Sequence, residues 1–561
     1  MAKSHPAELG RAVAEALGLH RQGRLDEAEK IYARVLKAER GHFDALHLLG
    51  MLNHQRGKAG EAYRLLSAAL KVEPRSPDAL SNLALVLHAL KRDAEALAQL
   101  DKALALAPNH LDALNNRGNL LLELKRPADA LAAFDRLLAL EPRHAQALVN
   151  RGNALAELGR NEDAVAACDA ALARAPGNPG ALYNRGNALR ALGRDTEALA
   201  AYDAALAAMP SHLNAWNNRG LALQALNRHQ EAIASYRKAL ALQPDYANAH
   251  FNEASALLTL GDYPAGFAKY EWRWQRSGMP ARPRLRQPLW LGESELRGKT
   301  ILLQAEQGLG DTIQFVRYAP LLARMGAKVV LEVQPELKDL LARVDGASAI
   351  VARGEMSPSF DLYCPLASLP LACKTELASI PVGIPYLRAD ETRIAHWRTR
   401  VEALPAPRIA LVWSGRAAHV NDRNRSIALT RLAPLLSVPA ASFISIQRDL
   451  RPADAEALAR DPRILHVGEE LRDFSDTAAV LALADLVVCV DTSVAHLAAA
   501  MGRPTFILLP FQPDWRWLLD RDRSPWYPDA RLFRQPAPRD WDSVLGRVAD
   551  TVAAGDFAGG R

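Results

Sequence analysis

The sequence predicts an α-helical solenoid followed by an α/β body built on two parallel-sheet lobes. Three observations carry this fold class. Residues recur in columns 34 apart through the first half, the register is lost after Tyr270, and short Val/Ile/Leu runs then alternate with helical segments. The expected layout is a solenoid over 1–276, a joint over 277–298, an N-terminal lobe over 299–390 and a C-terminal lobe over 391–561. A chain of 561 residues has room for three to five domains' worth of structure.

The first half is read from its columns. Pro74, Pro108, Pro142, Pro176, Pro210 and Pro244 share one register, and Ala45, Ala79, Ala113, Ala147, Ala181, Ala215 and Ala249 another. Gly50, Ala84, Gly118, Gly152, Gly186, Gly220 and Ala254 form a third, and Phe134, Cys168, Tyr202, Tyr236 and Tyr270 a fourth. Small residues let paired helices approach closely, and a proline cannot continue the second helix. The unit resembles the tetratricopeptide repeat, and eight units fit between about residue 7 and residue 276. The resemblance implies a right-handed solenoid with a concave groove, in which each helix pair buries its apolar face against its neighbours.

A fifth column, Asn82, Asn116, Asn150, Asn184, Asn218 and Asn252, needs its own reason, because asparagine is a mediocre helix former. One role is to bond the neighbouring repeat and fix inter-repeat geometry. The other is to line the groove with amides, which offer donor and acceptor to an extended peptide whatever its sequence. That ladder, and the layout as a whole, resemble the O-linked N-acetylglucosamine transferases, which implies a protein or peptide partner in the groove.

After Tyr270, Trp272, Trp274 and Trp290 mark a change of composition, and the three tryptophans favour a packed joint. TILLQAE, AKVVLEV, SAIVA and DLYCPL read as strands of a first lobe. IALVWSG, FISIQ, ILHVG, LVVCV and TFILLP read as strands of a second. Continuous apolar strands separated by helices imply parallel sheets covered on both faces, two Rossmann-like lobes whose ligands bind beyond the carboxyl ends of the strands.

Three strand ends carry candidate chemistry. In the first, Gly308 and Gly310 of GLGDT allow a tight turn and close approach, and Ile313 stands where a dinucleotide fingerprint needs glycine, which argues against an NAD enzyme. Asp311 there is either a helix cap or a general base. In the second, Asp491, Thr492 and Ser493 open a helix that carries His496 one turn in, a site suited to a diphosphate or a simple capping arrangement. The third, WSGRAAHVNDRNRSI, holds Ser414 and the basic Arg416, Arg423 and Arg425, either phosphate ligands or a solvated charge run.

Over about residues 299–555 these segments resemble the family 9 heptosyltransferases, with a two-lobed GT-B fold. The resemblance implies Asp311 as base and Asp491, Thr492, Ser493 and His496 as nucleotide-sugar ligands. It implies a phosphate contact at Arg425, where the family usually has lysine. Gly308, Gly310, Ser414 and Arg423 complete the candidate donor site. The implied reaction is an inverting, metal-independent displacement from a nucleotide-diphosphate sugar onto an acceptor hydroxyl, with no cofactor. A carboxylate at a helix N-terminus is expected to have a lowered pKa, which weakens it as a base. A scaffold with a decayed transferase body, or a sensor that binds nucleotide sugar without turnover, are the alternatives.

Composition bounds the rest. Charged residues are 24% and the net charge is +6 over the whole chain, too dilute to point to a nucleic acid. The four cysteines have no C-x-x-C spacing, so neither a disulfide framework nor a zinc site is expected. Asp520 and Asp522 form an Asp-x-Asp in a charged loop and are not expected to hold a metal. The N-terminal stretch has no apolar signal region, and Asp485 and Asp491 interrupt the most apolar segment, so a cytoplasmic protein without a membrane span is expected.

Overall fold

The structure, a computed structural model, describes residues 6–278, 281–419, 421–439 and 441–557. The chain forms two compact units that divide between Ala222 and Leu223.

The first unit is an α solenoid of paired helices, of which Leu111–Glu123 and Pro127–Leu140 are typical. The small-residue column exists to admit the aromatic one. A Cβ on Gly118 would stand 2.4 Å from the Phe134 ring, on Gly152 2.8 Å from Cys168 Sγ, and on Gly186 2.6 Å from the Tyr202 ring. Between the two helices of a pair the chain turns through one residue at positive φ, among them Gly57, Lys91, Lys125 and Gly159. The first helix of a pair is capped from the side chain before it. His42, Ser76, His110, His144, Asn178 and His212 each accept the N–H of the column alanine three residues on.

The principal helices of the second unit are α1 (His229–Leu242), α2 (Ala247–Thr259), α3 (Tyr263–Tyr270), α4 (Leu309–Phe315), α5 (Glu391–Glu402), α6 (Phe474–Leu483), α7 (Ser493–Ala500) and α8 (Trp541–Ala553). Its strands are β1 (Thr300–Gln304), β2 (Lys328–Val333), β3 (Ala347–Ala352), β4 (Leu362–Pro365), β5 (Arg408–Val412), β6 (Ser442–Ser445), β7 (Ile464–His466), β8 (Leu486–Val490), β9 (Thr505–Leu509) and β10 (Ala530–Arg534). One sheet runs β3-β2-β1-β4 and the other β10-β9-β8-β5-β6-β7, and every ladder pairing of these strands is parallel.

In the larger sheet alternate residues face opposite layers, as strand pleating requires. Ile409, Leu411, Val488 and Leu508 pack with Trp541, Val544 and Val548 of α8. Ala410, Val412, Val487 and Ile507 pack on the side of α6 and α7. Burial on both faces is why these strands read as unbroken apolar runs. The chain leaves β5 in one direction and β8 in the other, so the crevice of this sheet opens between the ends of those two strands.

The core of this unit includes Ala254, Leu258, Tyr263, Phe267 and Tyr270 of α2 and α3 together with residues of both sheets. The segment expected as a joint lies inside the same unit. Its Trp290 is buried and its backbone N–H donates to Tyr363 O of β4 at 2.8 Å. Residues 279 and 280 of that segment lie outside the described residues.

Candidate functional site

Asp311 is the third residue of α4, with Gly308 as the N-cap. Its Oδ2 accepts the Gly308 N–H at 2.9 Å, and its Oδ1 accepts from Arg516 Nη2. The sequence-based expectation of a lowered pKa is corrected here. Burial is the largest influence and pushes the carboxyl up, Asp514 adds to it, and the pull of Arg516 and the Gly308 N–H does not outweigh them. Arg516 is itself buried, and donates from Nη1 to Asp514 at 2.8 Å and from Nε to Gln314 at 2.6 Å.

Gly310 faces the other strand end. A Cβ there would lie 2.9 Å from His496 Cδ2 and 3.4 Å from Ser493 Cα. The glycine is needed for α4 to seat against α7, which brings together two motifs some 180 residues apart. Thr492 is the N-cap of α7 and makes no side-chain cap bond, and its Oγ1 is buried without a hydrogen-bond partner among the described residues. Ser493 is half-buried at the first helical position.

His496 is buried in the first turn, its Nδ1 3.0 Å from Tyr527 Oη and its ring stacked on Trp517 at 5.2 Å. Burial, with Arg516 and Arg317 nearby, drives its pKa well below the ordinary value. That favours the neutral imidazole, which offers a ligand a hydrogen bond and not a charge. Asp491, the residue after β8, is pushed up to about 6 by burial first and by Asp514 second. Its backbone oxygen accepts from Arg425 Nη1 at 2.8 Å.

Arg425 reaches that position by crossing Gly415, where a Cβ would stand 2.4 Å from its guanidinium. Its Nε is buried without a hydrogen-bond partner among the described residues. Ser414 is buried, and its backbone N–H and C=O are both held by the Gln447 side chain at 3.1 Å. Arg423, expected beside Arg425, is exposed. The structure therefore gathers Asp311, Gly308, Gly310, Asp491, Thr492, Ser493, His496, Ser414 and Arg425 at strand carboxyl ends.

Sequence reasoning missed Arg516, Asp514 and Gln447. It also missed Glu306, whose carboxyl burial pushes up to about 6 and whose Oε1 accepts from Arg273 Nη2 at 3.1 Å and Ala367 N–H at 3.2 Å. The one signal for Arg516 and Asp514 was two charged residues inside the aromatic run FQPDWRW.

The asparagine ladder is an inter-repeat device in the first unit. Asn82 Nδ2 lies 2.7 Å from His47 Nε2, Asn116 donates to Ser81 Oγ at 3.0 Å, and Asn184 to Val149 O at 3.4 Å. Asn150 donates to Asn119 Oδ1 at 2.7 Å and Asn218 to Asn187 Oδ1 at 2.9 Å. Each therefore spends amide N–H on the preceding repeat. Asn252, in the second unit, is half-buried.

Among the described residues, no three or more His, Cys, Asp or Glu side chains gather into a group that could hold a metal ion. No helix among them is long and apolar enough to cross a membrane.

Models of the tetratricopeptide repeat match residues 75–141, 115–179 and 213–246, and a TPR repeat model matches 186–227. The chain carries tetratricopeptide repeats. A model of anaphase-promoting complex, cyclosome, subunit 3 matches 21–103 within the repeat region. Beyond the repeats, the model of glycosyltransferase family 9 (heptosyltransferase) matches residues 469–509, from α6 through β9, a stretch that contains Asp491 to His496 but not Asp311 or Arg425.

Protein FlbA of Caulobacter vibrioides is 28% identical over 322 residues, covering 52% of this chain and 52% of that protein. The chain thus spans about half the length of this curated relative. Among solved structures, a tetratricopeptide repeat protein of Parabacteroides merdae is 19% identical, covers 44% of this chain and 98% of its own, and superposes with a TM-score of 0.38. A thermophilic TPR protein of Thermus thermophilus is 26% identical, covers 33% and 100%, and gives 0.30.

Proposed function

We propose that the protein is a glycosyltransferase of two-lobed GT-B type that moves a sugar from a nucleotide diphosphate to an acceptor hydroxyl, with its repeats holding a protein acceptor or partner. The observation that carries this reading is the seating of α4 on α7 at Gly310, which sets Asp311 beside the Asp491–His496 segment at strand carboxyl ends. The match of residues 469–509 to the family 9 model supports the donor half of it.

In this scheme Asp311 takes the proton of the acceptor hydroxyl as that oxygen attacks the anomeric carbon. The bond to the nucleotide diphosphate breaks in the same step, with inversion. The departing phosphate meets the N-terminal N–H groups of α7, the unpaired Thr492 hydroxyl and the Arg425 guanidinium. A raised pKa suits Asp311 to the base role better than the sequence implied, because a more basic carboxylate takes a proton more readily. In the repeats, the ladder amides of the first unit spend an N–H on the preceding repeat, so a bound peptide would meet the remaining amide groups and the variable side chains around them.

The test is a thermal-shift series with ADP-, UDP-, GDP- and TDP-sugars, followed by transfer assays with the class that binds. At about 100 times Kd a ligand stabilises by roughly 2.7 kcal/mol, on the order of 2–4 °C. Asp491→Ala should lose the shift. Asp311→Asn should keep it while turnover falls about 10²–10⁴-fold. One observation favours a second reading, a sensor that binds without turnover: both Asp311 oxygens are already engaged, by Arg516 and by Gly308 N–H. A wild-type chain that gives the shift and no sugar transfer to any acceptor would select it.

A further inference from the structure

The connection from β9 to Tyr527 carries three consecutive residues that face three different parts of the second unit. Trp515 meets α3 edge-on, with its ring 6.1 Å from that of Tyr263 and 5.5 Å from that of Phe267. Arg516 lies over the Trp515 ring at 4.3 Å and forks onto Asp311, Asp514 and Gln314. Trp517 stacks on His496 and stands beside Asp491. One strap thus touches the last repeat helix, the candidate base and the candidate donor segment.

The repeat side holds this strap at both ends. Downstream, Trp526 Nε1 donates to Tyr263 Oη at 2.9 Å and the two rings stack at 5.8 Å. Upstream, Asn227 Nδ2 donates to Phe511 O at 2.8 Å. Asn227 occupies the inter-helix turn position that is Gly57, Gly159 and Gly261 in other repeats, and it shares their positive φ, at 56°. Asparagine tolerates that backbone, and here it also supplies an amide that glycine lacks. Trp515 is the mechanical link, since its ring packs on α3 on one side and under the Arg516 guanidinium on the other. The Trp515 ring thus connects Tyr263 and Phe267 to Arg516 through packed contacts.

We propose that α3 and the turn at Asn227 belong to the machinery of the candidate site, because through the 510–526 strap they fix Arg516, a positioning residue that aims the Asp311 carboxylate. The catalytic meaning of Asp311 rests on the glycosyltransferase reading above, whereas the mechanical link does not. The repeats then do more than recruit. A partner that shifts α3 acts on the geometry around Asp311, and a body severed from α3 lacks a fixed Arg516. Removing the guanidinium from a partly buried carboxylate also favours its protonated form, so the base would work only at higher pH.

The experiment uses the full chain, with the double variant Asn227→Gly, Tyr263→Phe and the single variant Arg516→Lys. Glycine keeps the turn conformation and phenylalanine keeps the ring, so the double variant removes only the two polar anchors. Hydrogen exchange followed by mass spectrometry reads segments 509–518 and 305–315, with β5–β6 as an internal control. Loss of the anchors should speed exchange about tenfold in both segments, equivalent to about 1.4 kcal/mol of lost protection, and leave the control unchanged. Faster exchange confined to 223–270 overturns the mechanical link whether or not the protein is an enzyme.

Where sugar transfer is measurable, both variants should move the acidic limb of the kcat profile upward by about one pH unit, with kcat falling more than KM rises. An active double variant with loosened exchange but an unshifted limb would overturn the positioning role of Arg516. If no sugar nucleotide is turned over, the proposed function fails and the exchange result still decides the link.

Discussion

At the scale of single residues, burial of ionisable groups gives the second unit a pH signature. His229 is buried at the start of α1, neither ring nitrogen has a hydrogen-bond partner among the described residues, and burial lowers its pKa to about 4. The unfolded chain takes that proton near 6.5, so the stabilisation is complete above that pH and is lost as pH falls towards 4, amounting to about 3 kcal/mol. Asp491 and Glu306, each raised to about 6, act with the opposite sign, since their contribution is complete at low pH and is lost as pH rises through 6. The clean measurement is thus a difference. His229→Leu should remove about 3 kcal/mol of acid sensitivity between pH 7.5 and pH 4.5, read from urea unfolding of both chains. The sequence marked none of these three shifts, because desolvation depends on what surrounds a group and not on its neighbours in the chain. Gly310 shows the same limit. The motif marked it as a close-approach glycine, but only the fold reveals that the approaching partner is His496.

At the scale of elements, the repeat helices depend on unusual caps. Four of the six capping side chains in the first unit are histidines, each accepting an alanine N–H at Nδ1, as His144 does from Ala147 at 3.1 Å. His144→Ala should cost about 1 kcal/mol, while His144→Asn should be nearly neutral, because asparagine is among the best N-caps and Asn178 already fills the same position. Chemical unfolding of the three chains checks this. The periodic columns made the helices legible, and β1 to β9 were legible as apolar runs, most plainly β5, β8 and β9, which are buried on both faces. The edge strand β10 escaped notice. It pairs only with β9 among the ladder strands, and its sequence ARLFR is interrupted by two arginines instead of forming an apolar run.

At the scale of the molecule, the compact units do not follow the repeat period. α2 and α3 contribute Ala254, Leu258, Tyr263, Phe267 and Tyr270 to the core that also holds both sheets. A chain starting at residue 277 would expose Trp515 and Trp526 along the surface those residues cover. It should fail to unfold cooperatively or should aggregate. A chain lacking residues 1–144 loses only repeats of the first unit, and should keep the thermal transition of the second to within a few degrees, as nearest-neighbour stability of a solenoid requires. Calorimetry of the two truncations distinguishes these outcomes.

The sequence by itself determined the repeat period, the helix pairing, the parallel strands and the strand ends at which charged and hydroxylic residues collect. Those features are local, set by spacing, side-chain size and turn chemistry along a few dozen residues. Only the tertiary structure decided that Arg516 reaches Asp311 across 205 positions of sequence, that His496 is neutral, and that the last repeat helix shares a core with the sheets. Contact and desolvation are properties of what the fold brings together, and no pattern along the chain encodes them.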